Sequence, residues 1–418
     1  MTPAPPTSAR PSTTAARPRQ RGRSLPTGAA ALATVLLAGC QNLPGWMVWQ
    51  HEAQITDYRH FDNAPIARAA APWVLPVASA TLNWPGGLST AAAEDWVAAQ
   101  ETTALVVLRR GQVVYERYFN GHQRDSIGTS FSMAKSVVSS MVGVALADGR
   151  ITSIDDPITR YLPELLRNDA RFGAISLRHM LLMRSGIAFD EGYQSPFADA
   201  ARFYLTSNMP DQVAGLRIAS APGLAFSYQS GDTQLLAMAL ERATGQRLAD
   251  YVQTRLWQPM GAEFDASWSL DSAASGVARG FCCLNARAID FVRFGQLVLQ
   301  EGARDGHSII PADWLRLSTA AQTLDGLDDV ARRNIEEPGG RHAAFYAWQW
   351  RRAPLPRPGL APVPSQDLVP GPDFYAQGLL GQVIYIAPQS QTVVLRLGGG
   401  PGEGRWPRWL GTLARLNP

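Results

Sequence analysis

Apolar and polar positions alternate in two pairs of short runs near the chain ends. Residues 104–108 and 113–118 flank Arg109-Arg110-Gly111-Gln112, and residues 381–386 and 392–397 flank Pro388-Gln389-Ser390. Each pair reads as two strands joined by a tight turn. Between them, apolar residues recur at three- and four-residue spacing over 233–244, 248–256 and 286–299, the pattern of helices packed by one face. A further helix is expected at 406–416. Another starts near Ser132, runs through Val137, Met141 and Val144, and stops at Gly149. The pattern predicts an α/β (α+β) fold: an antiparallel sheet flanked by helices, built from both chain ends around an inserted, mainly helical region at roughly 150–300.

The 418 residues, 46% hydrophobic and 17% charged, can bury a full core. No repeat of 20 to 50 residues and no sustained heptad appears, which excludes solenoids and coiled coils. The net charge is +3, but residues 1–39 hold five arginines and no acid, and without that segment the charge becomes −2. No basic stretch with interleaved aromatics remains, so nucleic acid is not an expected partner.

The same segment ends in a short apolar run, 28–37, then Leu37-Ala38-Gly39-Cys40. A basic region, a short apolar stretch and small residues before a cysteine resemble a bacterial lipoprotein signal (1–39), with Cys40 as the lipidated residue. Residues 40–85 then read as a tether and N-terminal extension that packs on the surface of the main domain, 86–418. This places the protein in the cell envelope, facing the periplasm, with the outer membrane preferred because Gln41 carries no acidic retention signal. Cys282 and Cys283 are adjacent, and two small buried, reduced side chains are expected there rather than a bridge. The six histidines show no ligand spacing, so no metal or other cofactor is assigned.

Of 38 basic residues, 37 are arginine and one is lysine, Lys135. Guanidinium serves wherever a fixed charge suffices, but only an amine can give up its proton and become a base. Lys135 lies in Ser132-Met133-Ala134-Lys135. At this spacing on a starting helix the two side chains share a face, and the amine can reach the hydroxyl. Desolvation disfavours a charged amine, and only a neutral one accepts the proton of Ser132.

Around this motif, from about Leu105 to Leu413, the chain resembles the serine β-lactamase-like superfamily, in the branch of class C β-lactamases, DD-peptidases, family VIII carboxylesterases and 6-aminohexanoate-dimer hydrolases. The resemblance rests on Ser-x-x-Lys, on Tyr161-Leu162-Pro163-Glu164-Leu165, on residues 175–186, and on Tyr228-Gln229-Ser230. It implies a β-lactamase/transpeptidase-like fold, Ser132 as nucleophile, Lys135 as base and Tyr228 as second acid/base, with Ser230 and Tyr193 contacting substrate. The third family motif, normally Lys-Thr-Gly or His-x-Gly, reads Gln377-Gly378-Leu379. The Ser132 and Leu379 amides are the implied oxyanion donors. The cation that would meet a substrate carboxylate is missing, though Arg396 on the next strand could replace it.

The expected activity is hydrolysis of an ester or small amide, a small-molecule substrate. A β-lactamase or DD-peptidase, or an inactive envelope-binding lipoprotein, are the alternatives. His179, in an apolar stretch, reads as a satisfied core histidine. Residues 352–372, with seven prolines, read either as a stiff surface loop or as a wall of the cleft.

Overall fold

A computed structural model describes residues 53–417 apart from 79, 194, 321–344, 357–367 and 404. Cys40 and the leader, and the centre of the proline-rich stretch, lie outside the described residues. The principal elements, in chain order, are Asn63–Ile66 (β1), Thr90–Ala99 (α1), Thr102–Arg109 (β2), Gln112–Tyr118 (β3), Ile127–Thr129 (β4) and Ala134–Ala147 (α2). Ser230–Thr244 (α3), Ala266–Ser269 (β5), Leu284–Arg287 (β6) and Ala288–Leu299 (α4) follow. The chain closes with Phe345–Tyr346 (β7), Arg351–Pro356 (β8), Leu368–Gly378 (β9), Gln382–Ala387 (β10), Thr392–Gly398 (β11) and Trp406–Leu416 (α5).

The main sheet has seven strands in the order β7-β8-β9-β10-β11-β2-β3, every neighbour antiparallel. The first and last parts of the chain meet where β11 pairs with β2, Val394 opposite Val107. Strands β2, β10 and β11 are buried almost throughout and mostly apolar because both faces are covered. Leu105, Val107, Val383, Tyr385 and Val394 point toward α1 and α5, packing with Trp406, Leu410 and Leu413. Val106, Leu108, Ile384, Ile386, Val393 and Leu395 face the larger core, which holds α2, α3 and α4. The hairpins and the helical insert expected from the pattern are all present.

Three expectations change. The stretch read as a tether contributes β1, which pairs with β5 in a second sheet ordered β1-β5-β6-β4, and Ile66 is fully buried. The flanks of the proline-rich stretch are paired strands, Pro354 opposite Pro370, instead of surface loop. Cys282 and Cys283, expected as free thiols, are bonded to each other. Cys283 adopts φ +72°, a turn that folds the neighbouring Cβ atoms to the same side.

Candidate active site

Strand β4 leads straight into Ser132, the expected nucleophile. Thr129 donates its hydroxyl to Asn285 Oδ1 (2.9 Å), and Ser130 N–H donates to Leu284 O (2.9 Å), both partners on or beside β6. The chain then makes one 3₁₀ turn, Phe131–Met133, before α2 begins. Phe131 sits at φ +44°, a left-handed conformation that costs a non-glycine residue of order 1–3 kcal/mol. That turn puts Ser132 at the N-terminal end of α2, where unpaired amides favour developing negative charge.

Lys135 is one turn further on and 1% exposed. Its Nζ lies 3.0 Å from Ser132 Oγ, 3.2 Å from Ser230 Oγ and 2.8 Å from the Phe281 carbonyl oxygen. All three partners are neutral oxygens, so the pocket aims the amine without supplying a counter-charge at contact distance. The Tyr228 ring centroid is 5.3 Å from the same nitrogen. Structure therefore assembles Ser132, Lys135, Tyr228 and Ser230 from two segments about a hundred residues apart.

Ser230 is the first residue of α3, and the loop carrying Tyr193 folds over it. Tyr193 Oη is 3.3 Å from Ser230 Oγ. Glu191, which sequence reasoning passed over within the same loop, accepts the Ser230 N–H (2.6 Å) and hydroxyl (2.7 Å), and the Tyr193 hydroxyl (3.3 Å). A carboxylate from another loop thus caps α3. Burial pushes the Glu191 carboxyl up, opposed by nearby Lys135 and by the bonds from Ser230. The chain Ser132–Lys135–Ser230–Glu191 is continuous.

Two more unforeseen groups surround Tyr228. Tyr346 on β7 meets its ring edge-on at 5.9 Å, and the Arg351 guanidinium of β8 lies 5.0 Å from its centroid. Gln349, in the turn between those strands, anchors them to the body: Ser136 Oγ donates to its carbonyl (2.6 Å), Thr233 Oγ1 donates to its Oε1 (2.8 Å), and its Nε2 donates to Met180 O (3.0 Å).

Gln377 and Gly378 end β9, and Leu379 opens the following turn. Gly378 has φ −124°, open to any residue, so space rather than conformation demands glycine. A Cβ there would lie 2.3 Å from Ser130 O and 3.1 Å from Ser132 N. The motif is pressed against the backbone of Ser130–Ser132. Leu379 is 41% exposed and Gln377 half-exposed at the same edge.

Arg396 does not replace the missing cation. It is fully buried, donating to Thr102 Oγ1 (3.0 Å), Gln100 O (2.8 Å), Gly400 O (3.0 Å) and Leu380 O, with its guanidinium over the Trp406 ring. Four of its five N–H donors are engaged inside the fold, one of them on the turn after Gly378. His179 caps its own short helix, its Nδ1 accepting the Ser176 N–H at 3.1 Å. Among the described residues no cluster of histidine, cysteine or carboxylate could hold a metal ion.

A sequence profile of the Beta-lactamase family matches residues 89–405. The chain belongs to this family. Its hydrolase-named relatives make the chain a serine hydrolase: it is 25% identical over 311 residues to the 6-aminohexanoate-dimer hydrolase of Paenarthrobacter ureafaciens, covering 72% of this chain and 73% of that one. It is also 28% identical over 176 residues to esterase EstB of Burkholderia gladioli, covering 37% and 44%. Among solved structures, a Bacillus anthracis protein provisionally named 6-aminohexanoate-dimer hydrolase superposes with a TM-score of 0.69 at 23% identity, covering 86% of this chain and 92% of that one. EstCE1, a hydrolase with promiscuous acyltransferase activity, gives 0.57 at 15% identity, covering 78% and 96%. These likenesses bear out the β-lactamase/transpeptidase-like fold.

Proposed function

We propose that the protein hydrolyses an ester or small amide through an acyl-enzyme on Ser132. The observation that carries this reading is the chain's single lysine, buried, with its amine 3.0 Å from Ser132 Oγ. In the first half-reaction Ser132 Oγ bonds to the substrate carbonyl carbon while Lys135 takes the hydroxyl proton. The oxyanion lies against the amides of Ser132 and Leu379. Tyr228, beside Lys135, passes a proton to the departing alcohol or amine, and the bond to that group breaks. In the second half water attacks, its proton returning through Tyr228 and Lys135 to Ser132 as the acid is released.

The burial of Arg396 and the absence of a cation in Gln377-Gly378-Leu379 favour substrates without a carboxylate anchor over penicillins. The relatives named for 6-aminohexanoate dimers and esters support an amide or ester as the bond cleaved. Intact mass after a fluorophosphonate probe, with turnover of short-chain nitrophenyl esters and a 6-aminohexanoate dimer, tests the reading. One adduct on wild type, absent from Ser132→Ala together with turnover, is expected. A folded protein with no adduct and no Ser132-dependent turnover would turn the assignment toward a binding role, and capture of labelled penicillin toward the β-lactamase alternative.

We also propose attachment to the envelope through lipid on Cys40. Metabolic labelling with a clickable palmitate, lost in Cys40→Ala, is expected; an unlabelled mature protein refutes it.

A further inference from the structure

The segment Phe281-Cys282-Cys283-Leu284 runs beneath the dyad, and its two outer carbonyls hold the two ends of the nucleophile turn. Phe281 O accepts Lys135 Nζ at 2.8 Å, and Leu284 O accepts Ser130 N–H at 2.9 Å. Between them lie the bonded cysteines, 3% and 0% exposed. The rest of the segment is fastened down. Gly280 N–H donates to Gln234 Oε1 (2.9 Å), Cys282 N–H to Arg279 O (3.1 Å), and Ser269 N–H to Cys283 O (3.0 Å). The conformationally unusual residue of the segment is Cys283, at φ +72°, a region that a side chain with a Cβ seldom occupies. The sulfur bridge closes a ring through the Cys282–Cys283 peptide and so restricts the φ of Cys283.

We infer that the Cys282–Cys283 bridge is a redox-sensitive positioning element for Lys135. This rests on the reading of Ser132 and Lys135 as nucleophile and base. With the bridge closed, Phe281 O is held under the amine and, with Ser230 Oγ, aims it at Ser132. A dithiol reductant breaks the bond: each sulfur gains one electron and one proton, and the dithiol closes to its own disulfide. Cys283 is then free to leave the left-handed region, the Phe281 carbonyl turns away, and the amine loses its shortest contact. A displacement near 1 Å in a catalytic group costs about 10²-fold in rate. Acylation therefore falls about 10- to 100-fold on reduction, with KM little changed, because Lys135 moves the proton and does not bind the substrate.

The test uses the mature protein and three readouts. Tryptic cleavage at Arg279 and Arg287 releases both cysteines in one peptide, which without reductant is lighter by two hydrogens and takes up no alkylating reagent. Phosphonylation of Ser132 by the fluorophosphonate probe, with fluoride leaving, stands in for acylation and is timed well below Tm before dithiothreitol, after it, and after reoxidation. The double variant Cys282→Ala/Cys283→Ala, which cannot bridge, repeats the measurement in case the buried sulfurs resist the reagent. The expected result is slow acylation in both the reduced protein and the double variant, restored by oxidation in wild type only. A bridge that merely stabilises the fold lowers Tm and leaves the acylation rate alone, and that outcome overturns the inference. So does a pair of alkylated thiols in the untreated protein. Labelling that survives in Ser132→Ala instead indicts the nucleophile assignment and is read separately.

Discussion

Gly378→Ala tests the oxyanion arrangement with a single methyl group. At φ −124° the backbone accepts alanine without strain, so the effect comes from contact alone. The new Cβ would sit 2.3 Å from Ser130 O where such atoms essentially never approach within 3.0 Å, so the strand and the nucleophile turn must part by about 0.7 Å. Neither side can yield cheaply. Ser130 is held by Leu284 O, and the turn after Gly378 is held through Leu380 O by buried Arg396. The gap opens between Ser132 N–H and Leu379 N–H, the two amides proposed to share the oxyanion. Loss of one such donor costs about 10²- to 10³-fold, and a shift of this size in a positioned group up to about 10²-fold. A fall in kcat of about 10²-fold, near 2.7 kcal/mol of barrier, is expected, with a stability loss of about 1–3 kcal/mol from overpacking. The rate of phosphonylation by a fluorophosphonate, ester turnover, and a thermal melt on the same sample separate the two effects. An alanine variant that acylates as fast as wild type while folded would show that Gly378 does not border the reacting carbonyl.

Lys135→Arg keeps the positive charge and removes the base, so acylation should drop by several orders of magnitude, with Tm also lowered by the larger group in this buried site; ester turnover near wild type refutes the role. Glu191→Gln replaces an anionic acceptor of two Ser230 bonds, and the proposed acyl-transfer rate should fall about 10- to 100-fold, the worth of one charged hydrogen bond, measurable by probe kinetics. Asp232 is fully buried, and burial pushes its carboxyl up to about 8 against the bonds from Ser185 and Gln229. A raised folded-state value means that the native protein holds a proton the unfolded chain releases. Its contribution is therefore whole below 3.8 and is lost as pH rises through about 8. Melting curves from pH 4 to 9 should show Tm falling across that window, and Asp232→Asn should flatten the fall; an unchanged slope counts against it.

The elements that sequence revealed were those with a single demand on them. Strands β2, β10 and β11 are buried on both faces and therefore written mostly in apolar residues, and α4 carries a clear stripe. The Ser132–Lys135 pair was visible because every other basic residue is arginine. What escaped was set by partners distant in sequence. Arg396 stands in an apolar strand and looked like a spare cation; only the fold shows four oxygens from Gln100, Thr102, Leu380 and Gly400 around it. Glu191 has no local pattern to mark it, because its partner Ser230 lies 39 residues on. The prolines at 354, 356, 370 and 372 argued for loop, yet β8 and β9 accommodate them with an irregularity between Arg352 and Pro354. Adjacent cysteines argued for free thiols until the left-handed turn at Cys283 was seen.

The β1 segment bears on where the folding unit begins. Ile55 O accepts Thr129 N–H at 2.9 Å, and Asn63 Oδ1 accepts Asn285 Nδ2 at 3.0 Å, the asparagine whose own oxygen receives the Thr129 hydroxyl. Thr129 stands three residues before Ser132. Further along, Trp73 N–H donates to Gly261 O, and Val113 N–H to Pro76 O, so the strap is sewn down over its length. The family match starts at residue 89, beyond all of these stitches. A gene trimmed to that boundary would encode the named catalytic groups while leaving a raw sheet edge at β5 and a slackened floor under the nucleophile. Expression limits drawn from family alignment alone would cut through the enzyme, and a useful fragment has to start before Ile55.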